Sequence, residues 1–384
     1  MAGKGYICIK RSKQPMAKMR RTVILFLFPV LLVLSPVAAQ ESKGGFFTRI
    51  EGAGYAAWVW PHAPNMDHLN TGLFPIFHFS LSGTVNGTKP WHHAYNFPDM
   101  GITFMYADLG YPGVLGHAFG AFPHIVLPLL RKNKMSLNFR YGLGVAWLTN
   151  YYSEPGNEGN IAISNPLNIL MNTSLEAGYA ISEGFTLRAG LGMTHFSNGK
   201  TRTPNKGLNI PAFKLALMYN MKPGPVLPER DYSRQTQTHL SLRVFGAAGY
   251  TRLYPPGGPA FAEYTLSTTL GRPLSQKVKL GVGADVFWGL SDREVLRRLD
   301  QEPASPAGLL KPGLHVSYEH LFGKTSFIIQ QGIYLYAANN EDGIGYNRAG
   351  LRHQYSEKWL ISLTLKSHLF RADYLEWGFG YRIF

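Results

Sequence analysis

Period-two alternation runs through this chain from about residue 46 onward, and it limits the possible folds more than any other feature. In 135-MSLNFRYGLGVAWLT-149 the odd positions read Met, Leu, Phe, Tyr, Leu, Val, Trp and Thr. The even positions read Ser, Asn, Arg, Gly, Gly, Ala and Leu. In 277–290 one face is Val278, Leu280, Val282, Ala284, Val286, Trp288 and Leu290, and the other carries Lys277, Lys279, Gly281, Gly283 and Asp285. Successive side chains of a strand point to opposite faces, so this is strand patterning.

A soluble sandwich alternates too, and three further features favour a membrane barrel. The apolar face is bulky and ends in aromatics, while the opposite face mixes charge with glycine. The segments exceed the roughly 5–6 residues of a soluble strand. Short turns such as 131–134, 183–184 and 274–277 alternate with long loops such as 150–167 and 291–306, as tight inner turns and long outer loops do in such barrels.

Eight segments fall between about 46 and 221, and eight more between 239 and 384, on either side of the Pro-rich stretch 222–238. The pattern predicts an all-β fold, an antiparallel transmembrane β-barrel of the bacterial outer membrane with 14–16 strands. Whether residues 239–384 join 40–221 in one cylinder stays open. The stretch 86–98, with Pro90, Trp91, His92 and His93, falls where a short turn is expected. The final segment 375-LEWGFGYRIF-384 resembles the C-terminal signature by which barrel-insertion machinery recognises its clients. Its alternants Trp377, Phe379, Tyr381 and Ile383 are one position out of step with Phe384.

Composition removes other classes. Of 384 residues 45% are hydrophobic and only 16% charged, too apolar a chain for disorder. The one cysteine, Cys8, excludes a disulfide framework and a Cys-ligated metal site. Residues 1–39 hold seven Lys and Arg without an acid, then the apolar run 23–34 and Val37-Ala38-Ala39, which reads as a cleaved signal peptide. Its loss takes the formal charge from +15 to +8. No basic run remains that resembles a nucleic-acid groove, so no nucleic-acid partner is expected.

One segment carries chemistry. In 185–197 the apolar, outward positions continue through Met193 to His195 and Ser197. On the next strand Asn209 shares its face with Pro211, Phe213, Leu215 and Leu217. Three polar side chains thus meet on a wall otherwise suited to lipid, where polar groups are costly and tend to be functional. A serine, an imidazole and a group that orients the imidazole make a nucleophilic triad.

The string His195-x-Ser197-Asn198-Gly199, with Pro204-Asn205-x-Gly207 behind it, closely resembles the lipid A 3-O-deacylase (PagL) family, whose relatives are often called acyloxyacyl hydrolases. The resemblance implies a serine esterase of the Gram-negative outer membrane that acts on lipid A of lipopolysaccharide and needs no metal or other cofactor. It implies His195 as base, Ser197 as nucleophile, and Pro204, Asn205 and Gly207 as loop-shaping residues. Family members place a Glu twelve residues after the serine, where this chain has Asn209. Outer-membrane phospholipase A, which the same strings also resemble, uses an Asn there, so an amide can orient the ring.

Backbone N–H groups of Asn198 and Gly199 are expected to hold the oxyanion. Lys200, Arg202 and Lys206 are expected beside substrate phosphates among the outer-membrane lipids. A phospholipase reading would bring in calcium, but the 198–208 segment has no Asp or Glu to coordinate it. A non-catalytic porin or adhesin is the remaining alternative, with Arg140, Arg188, Lys214 and Lys279 lining an anion pore.

Overall fold

The computed structural model describes residues 46–231, 239–301, 303, 305–369 and 371–384; the leader expected over 1–39 lies outside these. Sixteen antiparallel strands form, and none of the helices described is long and apolar enough to cross a membrane. The first eight are β1 (Arg49–Ala57), β2 (Phe74–Thr84), β3 (Asp99–Asp108), β4 (His117–Lys132), β5 (Met135–Leu148), β6 (Leu167–Ala180), β7 (Phe185–Ser197) and β8 (Leu208–Asn220). The second eight are β9 (Ser241–Arg252), β10 (Ala260–Pro273), β11 (Val278–Gly289), β12 (Leu310–Phe322), β13 (Thr325–Tyr334), β14 (Gly345–Gln354), β15 (Trp359–His368) and β16 (Arg371–Arg382).

These strands do not make one sixteen-stranded cylinder. β1 pairs with β8 from Arg49↔Asn220 to Ala57↔Ala212, and β9 pairs with β16 from Arg243↔Arg382 to Tyr250↔Leu375, so each set closes on itself. Inside a bilayer an unpaired strand edge has no water to satisfy it, and closure removes both edges. The chain is therefore two eight-stranded barrels in tandem.

Two departures from strand and turn are informative. Within 86–98 a short helix, α1 (Pro90–Ala94), places Pro90 in its first turn, where a missing N–H costs nothing. It carries Tyr95 to the second barrel, where the Tyr95 hydroxyl donates to Leu321 O at 2.8 Å and its ring stacks on Phe322. The other helix, α2 (Leu290–Arg298), begins where β11 ends, and Glu294 pairs with Arg297 and Arg298 one turn on, both at 2.8 Å.

An eight-stranded barrel encloses just enough room for side chains. In the first barrel Arg140 Nη2 donates to Glu51 at 2.6 Å and its Nε to Glu176 at 2.9 Å. Lys214 bridges the same two carboxylates at 2.9 and 2.8 Å, and Arg188 reaches Glu51 at 2.9 Å. In the second, Arg348 joins Glu376 at 2.6 Å and Asp285 at 3.2 Å, while Glu319 takes Arg243 and Arg352. Arg140, Arg188 and Lys214, expected to line a pore, are buried in ion pairs, and Lys279 donates to Ser241 Oγ at 2.6 Å. The reason is size: the interior of an eight-stranded barrel is just wide enough for side chains to fill.

Removing one member of a buried ion network strands its partners. Arg140→Met, which leaves Glu51 and Glu176 short of a cation, is expected to destabilise the first barrel by roughly 3–5 kcal/mol. Equilibrium unfolding by urea in detergent micelles checks this.

Candidate functional site

β7 and β8 run side by side with Leu191↔Phe213, Met193↔Pro211 and His195↔Asn209 in register. The outward positions of this pair are apolar, with Leu191 and Phe213 each 58% exposed. Arg188, Thr194, Phe196 and Lys214 point inward and are buried. His195, Ser197 and Asn209 follow the outward alternation, at the end of the barrel that bears the long loops.

The direct pairing of His195 with Asn209 becomes a side-chain hydrogen bond of 2.6 Å between imidazole Nδ1 and amide Oδ1. A carbonyl oxygen only accepts, so Nδ1 carries the proton and the neutral ring leaves the Nε2 lone pair open. Ser197 stands two residues further along the same face, without a hydrogen bond to the ring.

Gly207 abuts that open edge. A Cβ built on it would lie 2.8 Å from His195 Cε1 and 3.5 Å from Nε2, and its φ of +76° is one that side chains rarely adopt. Sequence reading gave Gly207 a loop-shaping part; the structure adds that only glycine leaves room for the imidazole.

The loop between β7 and β8 is built on its neighbours. Asn205 Oδ1 accepts from the Asn198 backbone N–H at 3.1 Å, and the buried Asn198 side chain donates to Ser164 Oγ at 3.1 Å. Ser164 Oγ donates in turn to Arg202 O at 2.9 Å, and Gly207 N–H donates to Ala162 O at 3.0 Å. Pro204 follows a cis peptide bond. The Asn198 N–H, expected at an oxyanion, is thus already engaged, because the loop needs that donor to close its own turn. Gly199 follows with φ +61°.

The cations also differ from expectation. Lys200 Nζ lies 3.9 Å from Asp373 on β16, and Lys206 Nζ donates to Pro64 O. Arg202 remains exposed, near the Tyr151 ring. The reason is local: Asp373 and the Pro64 carbonyl lie close to the loop and supply the acceptors that two of the three cations take.

Sequence reading missed the residues that brace the site from a distance. Trp60 N–H donates to Asn209 O at 2.8 Å, and His62 Nε2 to Lys206 O at 3.0 Å, both from the loop after β1. From the second barrel, Arg252 Nε donates to Thr201 O at 3.1 Å, and Leu375 packs on Gly199. Nothing in local patterning points to these, since each depends on closure or on the second barrel.

Comparison with known proteins gives two family matches. Residues 75–218 match the model described as lipid A 3-O-deacylase (PagL). Residues 238–384 match that described as acyloxyacyl hydrolase, C-terminal domain. No curated protein matches. Among solved structures, the outer membrane enzyme PagL is 16% identical, covering 44% of this chain and 98% of its own, with a TM-score of 0.30. Neisserial surface protein A is 10% identical over 45% and 96%, at 0.31, and a triple mutant of Rhodopseudomonas blastica porin 13% identical over 87% and 99%, at 0.18.

Replacing Gly207 by Ala forces a methyl into the imidazole. The Gly207→Ala protein is expected to fold while the His195–Asn209 hydrogen bond breaks. In ¹⁵N spectra of the histidine ring this appears as loss of the fixed Nδ1-protonated tautomer; an unchanged tautomer would show that the ring is not held by this contact.

Proposed function

From the matches of its two halves to the lipid A 3-O-deacylase (PagL) model and the acyloxyacyl hydrolase C-terminal domain model, we propose that the chain is an outer-membrane serine esterase cleaving a fatty acyl ester of lipid A. The observation that carries this is the 2.6 Å His195–Asn209 bond on the outer wall, two residues from Ser197 on the same face. A hydrolase facing sideways meets an acyl ester where the lipid already lies, without extracting it.

In this reading His195 Nε2 takes the proton from Ser197 as Oγ attacks the acyl carbonyl. Asn209 holds the ring in the tautomer that makes Nε2 the base. The tetrahedral intermediate collapses with departure of the lipid alkoxide, which His195 protonates. A water, deprotonated by the same nitrogen, then releases the fatty acid and restores Ser197. With the Asn198 N–H engaged by Asn205, the oxyanion falls to the Gly199 N–H. Arg202 is the loop cation free to meet a lipid A phosphate.

A glycerophospholipid offers the same ester chemistry, so substrate choice is settled by giving purified protein lipid A and phosphatidylethanolamine separately and weighing the products. Released fatty acid from lipid A is expected. Ser197→Ala should abolish release, by about 10³-fold or more, with the barrel intact. Asn209→Ala should lower turnover by about 10²-fold through a misplaced ring. Normal release by Ser197→Ala would end the assignment.

A further inference from the structure

The outer wall of the second barrel is uneven. Across β10, β9 and β16, outward neighbours in register read Tyr264, Ala248, Trp377 in one row and Leu266, Gly246, Phe379 in the next. The small pair on β9 sits between two bulky ridges and leaves a groove of about 630 Å³, within the roughly 300–1,000 Å³ of small-molecule sites. Trp288 stacks on Tyr264 at 5.6 Å and stiffens one ridge. No charged residue lines the groove.

One end of the groove faces the contact between the barrels. Above Trp377 and Ala248 come Leu375 and Tyr250, themselves in register. Leu375 is the residue against which Gly199 packs, two positions after Ser197, and the neighbouring Arg252 holds Thr201 O. That end of the groove therefore lies one row of outward residues short of Leu375, against which the loop after the proposed nucleophile packs.

We propose that this groove binds one acyl chain of the multi-chain lipid whose ester is presented to Ser197, an inference that rests on the esterase reading above. The occupant follows from place and lining: an uncharged, aromatic-walled channel on the lipid-facing wall of a membrane barrel is bathed in acyl chains. Bulk lipid is as apolar as the groove, so hydrophobicity gives no preference there. Shape does. A chain seated between the ridges fixes its headgroup beside the β7–β8 loop, and a fixed ester reacts faster than a diffusing one. The second barrel is then a substrate-positioning half.

A Cβ at Gly246 meets nothing within 4 Å, so Gly246→Leu fills the groove without disturbing the wall. The first readout is lipid retention by full-length protein in detergent with added lipid A, measured by native mass spectrometry. Ser197→Ala should retain one lipid, and Ser197→Ala with Gly246→Leu should retain it at least about five-fold less. The second is hydrolysis in the Ser197 background. Gly246→Leu should lower kcat/KM for lipid A about ten-fold relative to kcat/KM for the single-chain ester p-nitrophenyl octanoate. Val282→Leu, on the same wall outside the groove, should alter neither readout. Equal retention with and without Gly246→Leu, or lipid and single-chain rates that fall in step, would overturn the groove. Failure of the unsubstituted chain to hydrolyse any ester would instead overturn the reading of Ser197, with lipid retention still deciding the groove.

Discussion

Closure of each sheet onto its own first strand is the constraint on which the rest of the structure depends. A strand at bilayer depth must pair on both sides, and the chain meets that need twice, at β1 with β8 and at β9 with β16. Closure at eight strands sets a narrow interior, and a narrow interior must be filled. The alternation that makes one face apolar for lipid makes the other polar, so the filling is charged. Glu51 and Glu176 answer Arg140, Arg188 and Lys214 in one barrel, and Asp285, Glu319 and Glu376 answer Arg243, Arg348 and Arg352 in the other. Buried charges tolerate this only when paired, which ties the inward residues to one another and leaves the outer wall to carry function.

On that outer wall the candidate site uses the regularity of the sheet. Register sets His195 opposite Asn209, and the pleat turns both side chains, with Ser197, to one face. The rest is irregular. The β7–β8 loop spends the Asn198 N–H on Asn205, turns Lys200 to Asp373 and Lys206 to Pro64, and needs glycine at 207 to clear the ring. Rigid strands thus hold the orienting pair, and the loop shapes what approaches it.

Two of the loop's supports, Arg252 and Leu375, come from the second barrel. That makes the added eight strands part of the site's surroundings, where a simple repeat would have left the loop to solvent or lipid. At the opposite end, α1 makes a second link through Tyr95, so the barrels are joined near the short turns as well as near the long loops.

Sequence alone determined the strands and their two faces, and their number as 14–16, because alternation is a local property and each strand reports its own orientation. It also determined the facing of His195, Ser197 and Asn209, since the same alternation runs on to the strand ends. Tertiary structure alone decided that β8 returns to β1 instead of continuing into β9, because closure is a choice between partners with equally suitable edges. It alone decided the pairing of Lys200 with Asp373 and of Lys206 with Pro64, and the fit of Gly207 against the imidazole. The first two contacts join separate barrels or separate loops, and the third depends on how the β7–β8 loop folds back over its own strand, so none is a local property of the sequence.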